Sequence, residues 1–158
     1  MKHIISVLVE NKFGVLARVA GLFSARGFNI NSLTVGETED PSVSRMTIVV
    51  KGDDKILDQV KKQLNKLIDV IRVKDYLRKE HIDKELVIFK VNVNKKAKAK
   101  AITLIRKSAA NIVKSTADII AVEIVGSQDD IDKLFYALKD NGYKIKEMVR
   151  SGRIAMEL

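Results

Sequence analysis

No cysteine occurs in the 158-residue chain, which excludes disulfides, thiolate metal sites and a cysteine nucleophile. Histidine is almost as scarce: His3 and His81 cannot make a histidine-rich zinc site. Tryptophan is missing, aromatics amount to 5%, and the single proline is Pro41. Long hydrophobic runs are lacking too. No segment approaches the roughly 18 apolar residues of a membrane span. The opening "MKHIISVLVENK" is too short in apolar length for a signal peptide and is followed by no cleavage-like sequence. The expectation is a cytoplasmic protein without membrane contact.

The aromatic shortage bears on the net charge of +9. Nucleic-acid modules concentrate positive charge and interleave aromatics for base stacking. Divided after Glu80, the chain carries +4 and +5 in its two parts, so the excess is spread evenly. The one local cluster is "NKKAKAKA", with Lys95, Lys96, Lys98 and Lys100. It reads as a solvated helix start, and no nucleic-acid partner is expected.

What is present is 46% hydrophobic residues in periodic segments that occur twice in one order. His3–Glu10 is apolar on both faces, as a central strand would be. Val15–Arg26 has helical spacing (Val15, Leu16, Val19, Leu22, Phe23), and Gly27 suits a left-handed C-terminal turn. Phe28–Val35 reads as a strand whose alternation slips at Asn31–Ser32, which predicts a bulge. "GETEDPSVS" is a loop, and Arg45–Lys51 a strand with Met46, Ile48 and Val50 inward. Asp54–Ile68 is an amphipathic helix using Ile56, Leu57, Val60, Leu64, Leu67 and Ile68, and Val70–Leu77 is a strand. The charged "RKEHIDKE" reads as a linker. A strand at Leu86–Val93, a helix near Ala97–Ala109, strands at Asn111–Ser115 and Ile119–Val125, a helix at Asp129–Asn141 and a strand at Lys144–Arg150 complete the second set.

Two βαββαβ units predict an α+β protein of two tandem ferredoxin-like sandwiches, with residues 1–77 and 86–158 as domains and 78–85 as linker. Helices cover one face of each sheet. On the other, Ile5, Val7 and Val9 are too apolar to be left wet, which predicts a homodimer that covers them.

No catalytic constellation is found. Ser24 and Ser32 have no histidine nearby and no nucleophile-elbow pattern, and "GDDK" at Gly52–Lys55 is not a phosphate loop. Asp53–Asp54 and Asp129, Asp130 and Asp132 open helices, where capping explains them. His3 and His81 read as surface residues. An acylphosphatase-like enzyme shares the topology but needs an arginine in the first turn, and "ENKFGV" has none. A DNA-binding regulator would need a helix-turn-helix, and none precedes the first sandwich.

That first turn and the strand that follows, "ENKFGVLARVAGLFSARGFNINSLTV", can do more than punctuate a fold. Free N–H groups at a helix start favour a carboxylate. Gly14 lets a ligand approach the backbone. Asn11 can donate and accept, as a zwitterionic amino acid requires. Asn29 and Asn31 begin the neighbouring strand and are expected close to that turn. Each also has an ordinary reading as a cap or turn residue, and the residues alone leave both open.

The same stretch, continued through "GETEDPSVSRMTIVV", resembles the small, regulatory subunits of acetohydroxyacid synthase (acetolactate synthase). Their run is of the form L-E-N-x-x-G-x-L-x-R-V-x-G-L-F-S-x-R-G-x-N-I-x-S-L-T-V, then D-P-x-x-S-R-M-T-I. "KQLNKLIDVIRV" and "MVRSGRIAMEL" extend the match over essentially the whole chain. The resemblance implies an N-terminal ACT domain that binds an amino acid, a C-terminal ferredoxin-like domain, and no catalysis in this chain. It implies a large catalytic subunit as partner, carrying thiamine diphosphate, magnesium and usually FAD, and itself no cofactor here. The effector would be valine, in some members leucine or isoleucine, with feedback inhibition of branched-chain amino acid biosynthesis. Effector contacts carry over to Asn11, Gly14 and Val15 on one chain and to Asn29, Ile30 and Asn31 on the other chain of a dimer. Thr34 and Gly36 match positions where feedback control is sensitive, and Leu33 and Val35 would wall the pocket.

Overall fold

The computed structural model describes residues 2–77 and 79–158. Twelve elements follow in the order β1 (Lys2–Glu10), α1 (Val15–Ser24), β2 (Ile30–Glu37), β3 (Val43–Lys51), α2 (Asp54–Leu64), β4 (Val70–Asp75), β5 (His81–Asn92), α3 (Lys98–Lys107), β6 (Asn111–Ser115), β7 (Ile119–Gly126), α4 (Gln128–Asp140) and β8 (Lys144–Glu157). They form two four-stranded sheets, ordered β2-β3-β1-β4 and β6-β7-β5-β8. Each half is therefore a βαββαβ sandwich, and the α+β reading of two tandem ferredoxin-like units holds. The compact units are Met1–Ile82 together with Arg153–Leu158, and Asp83–Gly152.

In the first unit the central strand β1 pairs antiparallel with β3 and β4. Ile5, Val7 and Val9 pack with Met46, Ile48 and Val50 against Val15, Val19 and Phe23 of α1 and Leu57, Val60 and Leu64 of α2. This corrects the expectation for Ile5, Val7 and Val9: they face the helices, because strand side chains alternate. The opposite face presents Ile4 and Val49, which are buried with Tyr76 and Ala155, a residue of the chain's own C-terminal segment. The second unit buries Val87, Phe89, Val91, Ile120, Val122 and Ile124 beneath Ala101 and Ile105 of α3 and Ile131, Leu134 and Leu138 of α4.

Several boundaries moved for identifiable reasons. The helix expected to Ile68 ends at Leu64, where Asn65 turns its amide back onto the Lys61 carbonyl at 2.9 Å. Ile68 is then 94% exposed and Ile56 half-exposed, not members of the buried stripe. Arg78, first residue of the expected linker, lies outside the described residues. His81–Glu85, placed in that linker, belong to β5. Charge there is compatible with a strand because the Arg150 guanidinium pairs with the buried Glu85 carboxylate, at 2.9 Å for its Nε. β8 runs on past Arg150 to Glu157. The expected bulge is present as a register shift between Ile30 and Ser32, with Asn31 the extra residue.

Candidate functional site

The chain leaves β1 at Glu10, whose N–H donates to the Asp69 carbonyl at 2.8 Å. It then turns through Asn11–Gly14 into α1. Gly14 sits at φ 77°, in the left-handed region where other residues are strained, and α1 has no side-chain N-cap. At the start of α1 the Val15 N–H donates to the Lys12 carbonyl at 3.4 Å, and no side chain caps the helix. A Cβ on Gly14 would come within 3.0 Å of Arg18 Nη1. Arg18 is held in place by Asp69, with Nε and Nη2 donating to Oδ2 at 3.0 and 2.5 Å.

Asn11 is exposed. Its N–H donates to the Ser42 carbonyl at 2.7 Å, and its side-chain amide donates to Glu37 Oε1 at 3.1 Å and the Pro41 carbonyl at 2.9 Å. Both hydrogens of its side-chain amide are thus engaged. Lys12 donates to Glu10 at 2.6 Å, and that bond holds its ammonium above the ordinary lysine value. Phe13 is fully exposed and Val15 buried.

The second group of expected residues lies on β2, the edge strand of the sheet, apart from Asn29, which immediately precedes it. Asn29 and Asn31 are exposed. Ile30 and Leu33 are half-buried and pack onto the helix-side core. Leu33 therefore faces inward, away from the edge. Thr34 lies on the opposite sheet face, where its hydroxyl donates to the Arg153 carbonyl at 2.9 Å. Gly36 has open space where a Cβ would be.

Registers show which residues meet. β1 ends beside Val43 of β3, whereas Ile30 and Ser32 pair with Val50 and Val49 at the other end of β3, opposite His3 and Ile4. Asn29 and Asn31 thus lie roughly 20 Å along the sheet from Asn11 and Gly14. The expectation that one βαβ unit brings them together is corrected: the helix carries the chain back to the start of the sheet before β2 begins.

Four supports of this region were not anticipated. Glu37 and Pro41 fix Asn11, and Asp69 fixes Arg18; each is a long-range contact that no local spacing signals. Ser32 accepts the Arg153 N–H at 2.9 Å. A fifth surprise is His3, 1% exposed rather than at the surface. Its Nε2 lies 3.0 Å from Asp54 and its Nδ1 3.2 Å from Asp75. Burial pushes the Asp75 carboxyl up, but Lys61 at 2.8 Å, the Leu77 N–H and His3 outweigh it and hold the group below its ordinary value. Among the described residues, no cluster of three or more His, Asp or Glu side chains is arranged to hold a metal ion. No described helix is long and apolar enough to cross a membrane.

Two family models match the chain in succession: "AHAS small subunit-like ACT domain" over residues 5–72 and "Small subunit of acetolactate synthase" over residues 84–158. A protein named "Probable acetolactate synthase small subunit" from Archaeoglobus fulgidus is 47% identical over 156 residues, covering 99% of this chain and 96% of that one. The "Acetolactate synthase isozyme 3 small subunit" of Escherichia coli is 38% identical, covering 99% and 95%. The crystal structure of the acetolactate synthase small subunit from Thermotoga maritima superposes with a TM-score of 0.87 at 35% identity, covering 100% of this chain and 98% of that one. The turn, the edge strand and both sandwiches fall within these matches, and the chain belongs to the family of acetolactate synthase small subunits.

Proposed function

We propose that this chain is the regulatory subunit of a cytoplasmic acetolactate synthase and binds valine, or with other preference leucine or isoleucine, at the interface of an ACT-domain homodimer. In this reading it activates a large catalytic subunit, which holds thiamine diphosphate, magnesium and usually FAD, and confers feedback inhibition on branched-chain amino acid biosynthesis.

The observation that carries the reading is the placement of the two residue groups at opposite ends of one exposed edge strand. Two copies pairing their β2 edges antiparallel about a two-fold axis would set the Ile30 end of one strand beside the Glu37 end of the other. Asn29 and Asn31 of one chain would then adjoin the Asn11–Gly14 turn of its partner. The uncapped amides at the start of α1 suit a carboxylate. Asn11 Oδ1 suits the ammonium group, and the neighbouring Val35 offers apolar surface to a branched side chain. A site built from two chains couples effector binding to dimer packing, and the catalytic partner reads that packing. Coupling is reciprocal, so binding of the catalytic subunit must change valine affinity by the same factor.

The test is calorimetry of the purified chain with valine, leucine and isoleucine, repeated on Asn11→Ala. The reading expects saturable heat in the native chain and a loss of about tenfold in affinity in the variant, the scale of a hydrogen bond to a charged group. Absence of heat with all three amino acids, or unchanged affinity in the variant, would overturn it. Co-purification with a thiamine-diphosphate synthase whose pyruvate condensation falls on adding valine checks the partner.

A further inference from the structure

The C-terminal segment of β8 is held within the first unit, and the first of its contacts fall on the strand assigned to the effector. Residue 153 has both its main-chain groups engaged by side chains of β2: its N–H donates to Ser32 Oγ, and its carbonyl accepts from Thr34 Oγ1, each at 2.9 Å. Ser32 and Thr34 are alternate residues, so both hydroxyls stand on the same sheet face, away from the helices. Beyond them, Ala155 is buried with Ile4, Val49 and Tyr76. Glu157 pairs with Lys74 and, at 2.8 Å, with Lys79.

Immediately before residue 153 the same strand is fixed a second time, within the other unit. Glu85 Oε1 accepts from Arg150 Nε at 2.9 Å and from the Gly152 N–H at 3.2 Å. Ser151 Oγ accepts the Leu86 N–H at 3.1 Å. Gly152, at φ 87°, ends one anchorage through its N–H, and Arg153 begins the other. The two anchorages are thus adjacent along the chain.

At its other end the clasp adjoins the bulge of β2. Asn31 is the extra residue there, and Ser32 is the first residue back in register. A ligand drawing on Asn29 and Asn31 acts on a bulge, where the ladder is locally disrupted, one peptide from the hydroxyl that holds Arg153.

We propose that the grip of Ser32 and Thr34 on the Arg153 main chain is the tether that passes effector occupancy from β2 into β8. The proposal rests on the effector reading above and adds the route by which the C-terminal half of the chain senses the amino acid.

Amide hydrogen exchange on the full chain, with and without saturating valine, tests it. In the native chain, exchange should slow both at the effector residues, Asn11–Val15 and Asn29–Asn31, and along β8. In Ser32→Ala the effector residues should still respond, while the valine-linked change in β8 falls by about fivefold, the scale of one hydrogen bond. Ser32→Thr, which keeps the hydroxyl, should restore it, and a thermal melt of each variant checks that the fold is intact. The tether is overturned if β8 responds equally in Ser32→Ala, or if the effector residues slow in the native chain while β8 does not. If no amide responds to valine, leucine or isoleucine and calorimetry is silent, the effector reading itself fails and takes the tether with it.

Discussion

The two units repeat one topology and differ in what their surfaces leave unfinished. In the second unit, as in the first, the second helix has a side-chain cap and the first helix has none. Asn94 Oδ1 accepts from the Ala97 N–H at 2.7 Å ahead of α3, and Ser127 and Asp130 form a reciprocal capping box at α4. In the first unit Asp53 caps α2, but α1 begins at a left-handed glycine with no side-chain cap. The sheet faces differ too. The first unit's open face is buried by the chain's own C-terminal residues, whereas the second leaves Leu86, Ile88, Val125 and Val149 exposed. One duplicated plan thus sets a left-handed glycine before the first helix of one copy, where the other has right-handed Ala97, and leaves a sheet face exposed in the other. A shared fold fixes neither, because function resides in the site grafted onto it.

The sharpest break of this contrast is a charge placed on each sheet face. Ala155 is 7% exposed and Val125 64% exposed. Ala155→Glu should destabilise the chain by about 3 kcal/mol, the cost of an unpaired buried charge, whereas Val125→Glu should stay within about 0.5 kcal/mol. Denaturant titration of the two variants measures the difference. Next in size is Gly14→Asp, which strains the left-handed backbone and sets a carboxylate where the effector's carboxylate would lie. Valine affinity should fall by about 100-fold or more, since like charges at an interface cost several kcal/mol. Calorimetry reads it. A smaller effect separates the helix starts: Ser127→Ala removes a capping box and should cost about 1 kcal/mol in a thermal or denaturant melt, while α1 has no such bond to lose.

The smallest effect concerns the tail. Hydrogen bonds from Lys74 and Lys79 lower the Glu157 carboxyl from 4.5 to about 2. A carboxylate depressed on folding contributes stability above its unfolded value and loses it as pH falls through the folded one. The ion pairs holding the tail should thus be fully present at neutral pH, weaken below about pH 4.5 and vanish near pH 2. Proteolysis by an acid-active protease should release the last residues progressively over that window, and release independent of pH would contradict the assignment.

Sequence alone made the repeated topology legible because its signals are local: apolar periodicity, a glycine after α1, acidic residues before α2 and α4, and a slipped alternation at Asn31–Ser32. It misjudged what depends on distant partners. His3 looks exposed at a strand start, yet Asp54 and Asp75 make its burial tolerable. Glu85 looks like linker charge until Arg150 is seen opposite it. The C-terminal residues carry no local sign that they return to cover Ile4 and Val49. At the candidate site, residue types and the family resemblance pointed to one turn and one strand. Periodicity could not say that one chain holds them at opposite ends of a sheet.

That separation gives the most direct test of the central claim, that each effector site is shared by two chains. Dimers of Gly14→Asp spoil the turn in both sites, and dimers of Asn29→Ala/Asn31→Ala spoil the strand in both. Mixed dimers, made by denaturing and refolding the two variants together, would hold one site built from the intact turn of one chain and the intact strand of the other. Calorimetry should find almost no valine binding in either variant alone, and in purified mixed dimers about half the native number of sites at near-native affinity. Mixed dimers that bind no better than the two variants would contradict the account.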